Sequence, residues 1–309
     1  MPTRSWRHSP DFIRGKMDKI ENLLWQVKFE IKHNWLRARN LLREAIREHP
    51  DIPELQITLA DLYQSKKLYR KAINEYQQAL PLSPQQSSLL FRIGNCFLSL
   101  GDYKIALSYY SQLADDFPEL IYNKAFALSK LNRTDEAVEV LEKMFSQNYQ
   151  ISSEIPYIFL AEMYYTRQEF EKTIKCLDTA EQNFGKRASI FYLRGVTYFN
   201  LTYWLKAYLE FQNAAKMKVE TAHFYKNYGL SCEKIGKTTQ AIDLLLLSIK
   251  MAPLDAGGYI ELIKIYLNHG SVIEAYTIAQ HAKRNIPYSI TLSLLYDQIL
   301  QKMHHDLKL

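Results

Sequence analysis

The sequence is short of the residues that break helices and of those that form cross-links. Its 309 residues include ten glycines, ten prolines and three cysteines. So little glycine and proline excludes a collagen-like or low-complexity chain. An apolar content of 47% with 23% charged residues excludes wholesale disorder. Uninterrupted apolar runs long enough to cross a bilayer are also missing, so the sequence predicts no membrane span.

The three cysteines, Cys96, Cys176 and Cys232, lie far apart, each on an apolar helix face. Their odd number and wide spacing predict no disulfide framework and favour a reducing compartment. The basic residues at the start are not followed by the apolar stretch of a secretory signal. We therefore expect a cytoplasmic protein.

Motifs for catalysis and metal binding are missing as well. The sequence contains no phosphate-cradling glycine loop, no nucleophile elbow, and no Cys-x-x-Cys or His-Glu-x-x-His arrangement. His304 and His305 precede Asp306 near the end of the chain, where we expect any metal binding to be incidental. We predict that the protein is not an enzyme and has no cofactor, no bound metal and no small-molecule substrate.

What the sequence does contain is a repeat of about 34 residues. Eight small residues mark it, at steps of 34, 34, 31, 36, 34, 34 and 34 residues: Ala38, Ala72, Ala106, Ala137, Thr173, Ala207, Ala241 and Ala275. We call them the ladder residues. Around each one, apolar residues return every three or four positions, which is typical of two amphipathic helices. Self-similarity at this period predicts a stack of helical hairpins rather than a domain with one central core.

Small and turn-forming residues recur in phase with the ladder. The first helix of several hairpins carries a glycine that we expect to face the ladder residue, so that two backbones approach closely: Gly94, Gly195 and Gly229. In the first hairpin Gln26 stands at this position. Left-handed turns are predicted seven residues after the small position, at Gly101, Asn132, Gly236 and Gly270. Prolines are expected to close the second helices and to start the next repeat, at Pro50, Pro84, Pro118, Pro253 and Pro287.

These residues resemble the tetratricopeptide repeat family. The likeness is clearest where Gly94 and Phe97 precede Ala106, Tyr110 and Pro118 within one 34-residue frame. The tryptophan with which the family begins its first helix is replaced in this chain. The resemblance implies an all-α, right-handed α-solenoid (superhelix) of about eight hairpins at residues 19–288. A basic N-terminal arm at 1–18 and a C-terminal capping helix at 289–309 are expected to flank it.

The middle of the ladder is irregular. The 31-residue step removes three residues around Asp115–Glu119, and the 36-residue step adds two in the loop Asn148–Glu154. We interpret this as a local change in superhelical twist at the fourth repeat. Drift in loop length is the alternative.

The resemblance also implies a function, because in this family partner proteins lie along a groove lined by the first helices. Carried over position by position, the expected groove residues are Phe91, Arg92, Asn95, Tyr122, Asn123, Phe126, Ile158, Glu162, Tyr165, Tyr192, Phe199, Lys226 and Asn227. Six of them are rings that would form an aromatic strip across four repeats. Asn95 and Asn123 are expected to hold a peptide backbone through their amides. The alternative is that the rings pack only between neighbouring repeats.

A clamp for a terminal carboxylate is not expected, because Ile155, Ile158 and Phe159 stand where some relatives have cations. The leading hypothesis is therefore a scaffold or adaptor that binds a peptide segment or a helix of a protein partner. A second hypothesis is a homo-oligomer formed through Leu246 and Leu247, which helical geometry turns outward; neighbouring second helices would otherwise cover them.

A third hypothesis concerns charge. Residues 1–49 contain 11 Lys and Arg against 6 Asp and Glu, which leaves +5 of the total of +6 near the start. A basic arm of this kind is suited to nucleic acid or an anionic surface: Arg4, Trp6, Arg7, His8, Arg14 and Lys16. The repeats themselves are nearly neutral, so nucleic-acid binding along the groove is not expected.

Overall fold

The structure is a computed structural model that describes residues 10–147 and 149–306, with side chains for 20–147 and 149–304. Across these residues every regular element is an α-helix, and there are seventeen. They fall into two compact units, the first ending at Ile151 and the second beginning at Ser152. The expected all-α class is confirmed. Four residues of the basic arm, Arg4, Trp6, Arg7 and His8, lie outside the described residues.

The first unit contains four helical hairpins. Its helices are α1 (Pro10–His33), α2 (Trp35–Glu48), α3 (Pro53–Ser65), α4 (Tyr69–Ala79), α5 (Gln86–Leu100), α6 (Tyr103–Tyr110), α7 (Pro118–Lys130) and α8 (Thr134–Ser146). Consecutive helices pair within a hairpin, and each of the second helices α2, α4 and α6 also packs on the first helix of the next hairpin. The helix α1 already begins at Pro10, within the segment expected to form an arm.

The second unit repeats this arrangement. Its helices are α9 (Ile155–Thr166), α10 (Phe170–Phe184), α11 (Ala188–Asn200), α12 (Trp204–Lys216), α13 (Ala222–Lys234), α14 (Thr238–Met251), α15 (Ala256–Asn268), α16 (Val272–Asn285) and α17 (Ile290–Asp306). The unpaired α17 packs on α16 and α15. Its apolar stripe is buried through Leu292 and Ile299, at 1% and 0% exposure.

The ladder residues lie where the two helices of each hairpin meet. All eight are fully buried. The predicted left-handed turns are confirmed, with φ of 83° at Gly101, 60° at Asn132, 79° at Gly236 and 75° at Gly270. The same left-handed conformation occurs at the same position of three other hairpins, at Lys67, Gln168 and Thr202. These residue types do not favour it, so the sequence did not predict these turns. Pro118 begins α7, as expected for a proline that starts the next repeat, but residues 111–117 separate it from the end of α6, so it does not close that helix.

Two glycines of the first helices, Gly94 and Gly195, make room for a ring rather than for the ladder residue. A Cβ added at Gly195 would lie 2.9 Å from Cε1 of Phe211, and one added at Gly94 would overlap the ring of Tyr110. Both rings stand four residues after a ladder alanine, one turn further along the second helix. At Gly94 and Gly195 the expectation that the glycine faces the ladder alanine is therefore wrong, and the glycine admits the aromatic side chain that fills the hairpin. At Gly229 the expectation is confirmed, because an added Cβ would lie 3.1 Å from the carbonyl oxygen of Ala241.

The first hairpin has its own register. Gln26, at the expected small position, is exposed, and its neighbour Val27 is fully buried instead. A single residue, Asn34, separates α1 from α2, and its side chain accepts a hydrogen bond from the N–H of Arg37 at 3.2 Å. The later hairpins have longer turns, such as the three residues between α3 and α4. The short link shifts the inward face of α1 by one residue.

The irregular ladder steps correspond to visible changes in the helices. The helix α6 has 8 residues, whereas the second helices α4 and α10 have 11 and 15. The three missing residues of the 31-residue step therefore shorten this helix. The longer step falls in the loop between Ser146 and Ile155, where the two units divide. The expected change in superhelical twist stays a prediction.

A buried arginine joins two hairpins in the second unit. Arg194, on α11, donates hydrogen bonds to Asp178 at 2.6 Å and Glu181 at 2.7 Å on α10, and to Glu210 at 3.2 Å on α12. Burial opposes its charge, but the three carboxylates raise the pKa of Arg194 above its ordinary value. Burial raises the pKa of Glu210, against the opposing effect of Arg194. The guanidinium thus ties a first helix to two second helices at once.

We expect Gly195→Ala to lower the free energy of unfolding by about 1–3 kcal/mol, because the new methyl group must displace the buried ring of Phe211. Urea denaturation followed by circular dichroism measures this change. Gly257→Ala is the matched control, since its Cβ meets the flexible end of Lys226 at 3.2 Å. Equal stability of the two variants would contradict the close approach of glycine and ring.

We expect Arg194→Ala to destabilise the protein by about 3 kcal/mol, because it leaves carboxylates without their buried partner. Arg133→Ala serves as the control, since Arg133 and its partner Glu136 are both about half exposed and we expect no measurable change there. Thermal unfolding of the two variants and the wild type makes the comparison. If the thermal unfolding midpoint of Arg194→Ala equals that of the wild type, Arg194 does not stabilise the contact between the two hairpins.

Candidate functional site

The first helices of successive hairpins are linked by side-chain bridges. In the first unit Arg92 of α5 pairs with Asp61 of α3, and Asn123 of α7 donates to Asn95 of α5 at 2.9 Å. In the second unit the bridges join Asn200 to Tyr165 at 2.6 Å, Asn227 to Tyr192 at 3.2 Å, and His269 to Glu233 at 2.8 Å. We call the face that carries these bridges the first-helix surface of each unit. Six of the expected groove residues take part in them.

In two bridges of the first unit, a tyrosine of the second helix also donates a hydrogen bond to one of the bridging side chains. The hydroxyl of Tyr76 donates to Asp61 at 2.5 Å, and its oxygen lies 2.8 Å from Oε1 of Gln64. The carboxylate of Asp61 thereby meets both a phenol and the guanidinium of Arg92. Burial, followed by the neighbouring carboxylate, raises the pKa of Tyr76 well above its usual range. The phenol therefore stays a neutral donor at physiological pH.

The second of these bridges repeats this design with amides. The hydroxyl of Tyr110 donates to Oδ1 of Asn95 at 2.6 Å, and the same oxygen accepts from Nδ2 of Asn123. Burial raises the pKa of Tyr110, which keeps it protonated. Asn95 and Asn123 thus bond first to each other, a pairing that sequence reasoning did not anticipate. Within the described residues, Nδ2 of Asn95 and Oδ1 of Asn123 make no hydrogen bond and keep capacity for a further partner.

The expected aromatic strip divides between the two units, with three rings in each. In the first unit Phe91 packs edge-on against Phe117 with ring centroids 4.9 Å apart, so its partners include a ring of the adjacent loop. Tyr122 lies beside Phe126 at 6.4 Å, and the ammonium of Lys130 sits 5.2 Å from the ring of Phe126. All three expected rings are partly exposed.

The three rings of the second unit are also partly exposed. Tyr165 lies 5.8 Å from Phe170, and Phe199 meets Trp204 edge-on at 4.9 Å. Tyr192 packs on buried rings at 6.2 Å while its hydroxyl accepts from Asn227. Each ring therefore contributes to packing with one part of its surface and leaves another part open, so packing and partner contact are compatible at these positions.

The other expected groove residues have mixed surroundings. Ile158 packs against the buried cluster around Ala161 and Leu177. Glu162 is exposed. Lys226 is partly buried, and its ammonium lies close to Gly257 at the start of α15. The residues that sequence reasoning missed are Asp61, Tyr76 and Tyr110. The two tyrosines stand 34 residues apart, and that periodicity was the available signal.

Outside the first-helix surface, α14 presents an apolar group. Leu246 and Leu247 are 42% and 41% exposed, whereas Leu244 and Leu245 are buried. Across the described helices, none combines the length and apolarity needed to cross a bilayer. Among the described side chains, no cluster of three or more His, Cys, Asp or Glu residues forms a potential metal site.

Comparison with known proteins gives one consistent result. Family models described as tetratricopeptide repeat match residues 32–93, 88–120 and 118–149. No curated protein matches the chain. Among solved structures, the APC/C hetero-tetramer Cut9–Hcn1 contains a chain that is 16% identical, with a TM-score of 0.59. That match covers 96% of this chain and 57% of the other, so this chain spans little more than half the length of that relative.

A second similar structure is the C-terminal part of a TPR repeat-containing protein from Cytophaga hutchinsonii. It is 15% identical with a TM-score of 0.61, and the match covers 77% of this chain and 98% of the other. At these identities the likeness shows the fold. The matched family models show tetratricopeptide repeats at residues 32–149, and helical hairpins with the same ladder continue to Asn285.

Proposed function

We propose that the protein is an interaction scaffold that holds an extended segment or a helix of a partner protein along its first-helix surface. The observation that carries this proposal is the set of bridges between consecutive first helices. They hold partly exposed rings and amides in place before any partner arrives. A preformed surface binds with a smaller loss of conformational entropy than a flexible one.

The chemistry of the first unit favours recognition of a peptide main chain. Arg92 is already paired with Asp61, and Lys124 with Asp115, so these cations have carboxylate partners within the protein. The amides of Asn95 and Asn123 offer one donor and one acceptor, which match a peptide group. A partner carboxylate would compete with the existing ion pairs, in agreement with the expectation that no terminal-carboxylate clamp exists.

The partly exposed rings of each unit's first-helix surface supply the apolar part of the contact. Tyrosine is among the residues that dominate binding energy at interfaces, because its large ring loses little conformational freedom. Tyr122 and Tyr165 are suited to this role, since both are partly exposed. Similar folds also assemble with other proteins: the APC/C structure is a hetero-tetramer that contains Cut9 and Hcn1. We include a cytoplasmic location in this proposal.

We expect the double variant Tyr122→Ala and Tyr165→Ala to recover at least tenfold less partner protein in a pull-down from the native host. The control is Tyr203→Ala with Tyr288→Ala, which removes two tyrosines that are 53% and 96% exposed elsewhere. Partners recovered by the wild type and the control, but not by the double variant, support the proposal. Undiminished recovery by the double variant, with unchanged helicity, would remove it.

A second candidate function is self-association, favoured by the apolar surface of α14. Met251 follows Leu247 by one helical turn at the end of α14 and is 48% exposed, and Leu254 in the next loop is 75% exposed. With Leu246 they give this end of α14 several exposed aliphatic and thioether groups. Patches of this kind mark contact surfaces when they are contiguous. Binding of nucleic acid or an anionic surface through the basic arm stays a prediction.

We expect Leu246→Glu to convert any oligomer to a monomer, because a carboxylate in an apolar contact must be desolvated without a counter-ion. Light scattering of the wild type and the variant over a range of concentrations measures the change. Leu205→Glu, at a side chain that is 62% exposed on α12, is the matched control. If the wild type is a monomer at every concentration measured, the self-association hypothesis is wrong.

A further inference from the structure

The outer face of α1 exposes two large aromatic side chains. The inner face packs on α2 through Ile20 and Val27, which are 5% and 0% exposed. On the opposite side Trp25 is 73% exposed and Phe29 is 55% exposed. They stand one helical turn apart, so their rings share one stripe of the helix. The ring of His33 continues this stripe, with its centroid 4.5 Å from that of Phe29.

In the later hairpins, the corresponding face of the first helix is buried against another helix. Phe29 stands two residues after the inward-facing Val27. The corresponding residues of the seven later first helices are all buried: Leu62, Cys96, Ala127, Met163, Thr197, Ser231 and Ile265. Within each unit, every first helix that follows another hairpin packs against the second helix of that hairpin. Among the described residues no helix packs on this side of α1, and Phe29 is 55% exposed.

The composition of this face is that of a contact surface and not of a cap. An end hairpin that only shields a repeat array carries a polar outer face. Exposed tryptophan and phenylalanine instead mark positions where binding energy concentrates. We call the stripe of Trp25, Phe29 and His33 the α1 stacking face.

The charges around the stacking face are mostly positive. Lys28 and Lys32 flank the rings on the exposed side of α1, and Glu21 is the exposed carboxylate of the same side. On α2, Arg37 keeps 62% of its side chain exposed while it pairs with the buried Glu30 at 3.3 Å. A segment that stacks here meets apolar rings in the centre and ammonium groups at the edge.

We propose that the α1 stacking face binds an amphipathic, acidic helix of a partner protein. The apolar stripe of that helix takes the place that a preceding second helix occupies in the later hairpins, and its carboxylates face Lys28 and Lys32. A second copy of this chain is a poorer occupant, because symmetric pairing would place these lysines opposite one another. The site is separate from the first-helix surface and does not depend on the function proposed for it.

The test uses the full-length protein and two labelled synthetic helices of about 18 residues, long enough to keep helical structure. Both carry leucine at every third or fourth position on an alanine background. One bears glutamate on its polar face and the other bears lysine. Fluorescence anisotropy gives the affinity of each, with rising salt expected to weaken binding of the glutamate helix.

We expect the wild type to prefer the glutamate helix. Trp25→Ala with Phe29→Ala should weaken its binding about 30-fold, the usual effect of losing an interface anchor. Tyr203→Ala with Tyr288→Ala, which removes two exposed rings elsewhere, should leave it unchanged. Lys28→Glu with Lys32→Glu should reverse the preference toward the lysine helix. All these side chains are exposed, and circular dichroism checks that helicity is kept.

Three results would overturn the proposal. The first is equal affinity of the wild type and the Trp25/Phe29 double variant for the glutamate helix. The second is binding of the wild type to phosphatidylserine vesicles without binding of the glutamate helix, which would make the face a membrane contact. The third is a wild-type dimer that the double variant dissociates and that does not bind the helix, which would assign the face to a second copy.

Discussion

The close contact of two helices across each ladder residue is the constraint on which the rest of the structure depends. A side chain of one or two carbons at this point lets the helices of a hairpin meet, and all eight such residues are fully buried. Two of the hairpins then fill the remaining space with a ring that needs a glycine opposite it, as Tyr110 does at Gly94. Because the contact recurs, each unit consists of similar hairpins and has no single centre.

Polar contacts between hairpins add specificity to this apolar packing. Arg194 joins three helices through carboxylates, and side-chain bridges join successive first helices from α3 to α7 in the first unit and from α9 to α15 in the second. Apolar surfaces alone tolerate small shifts in register, whereas a hydrogen bond or ion pair requires one alignment. The same bridges hold the rings and amides of the candidate binding surface, so stability and recognition depend on shared residues.

Much of the fold follows from local pattern. Each of three features depends on residues that lie close together in the sequence, and each could therefore be predicted. They are the hairpin order, the turns at Gly101 and Asn132, and the apolar stripe of α17. The register of the first hairpin could not be predicted, because it depends on a one-residue link that shifts the inward face from Gln26 to Val27. For the candidate site, sequence indicated which helices supply residues. It did not indicate that Asn95 and Asn123 bond to each other, since that requires the distance between two hairpins.

By itself, then, the sequence determined the repeating unit, because a period of 34 residues leaves helical hairpins as the arrangement that buries every apolar stripe. Only the tertiary structure decided which side chains stay accessible. Phe29 and Leu62 occupy corresponding positions of their first helices, yet one is 55% exposed and the other is 2% exposed. The difference lies in whether another helix packs against that face, and such a neighbour comes from residues distant in the chain, so no local pattern reveals it.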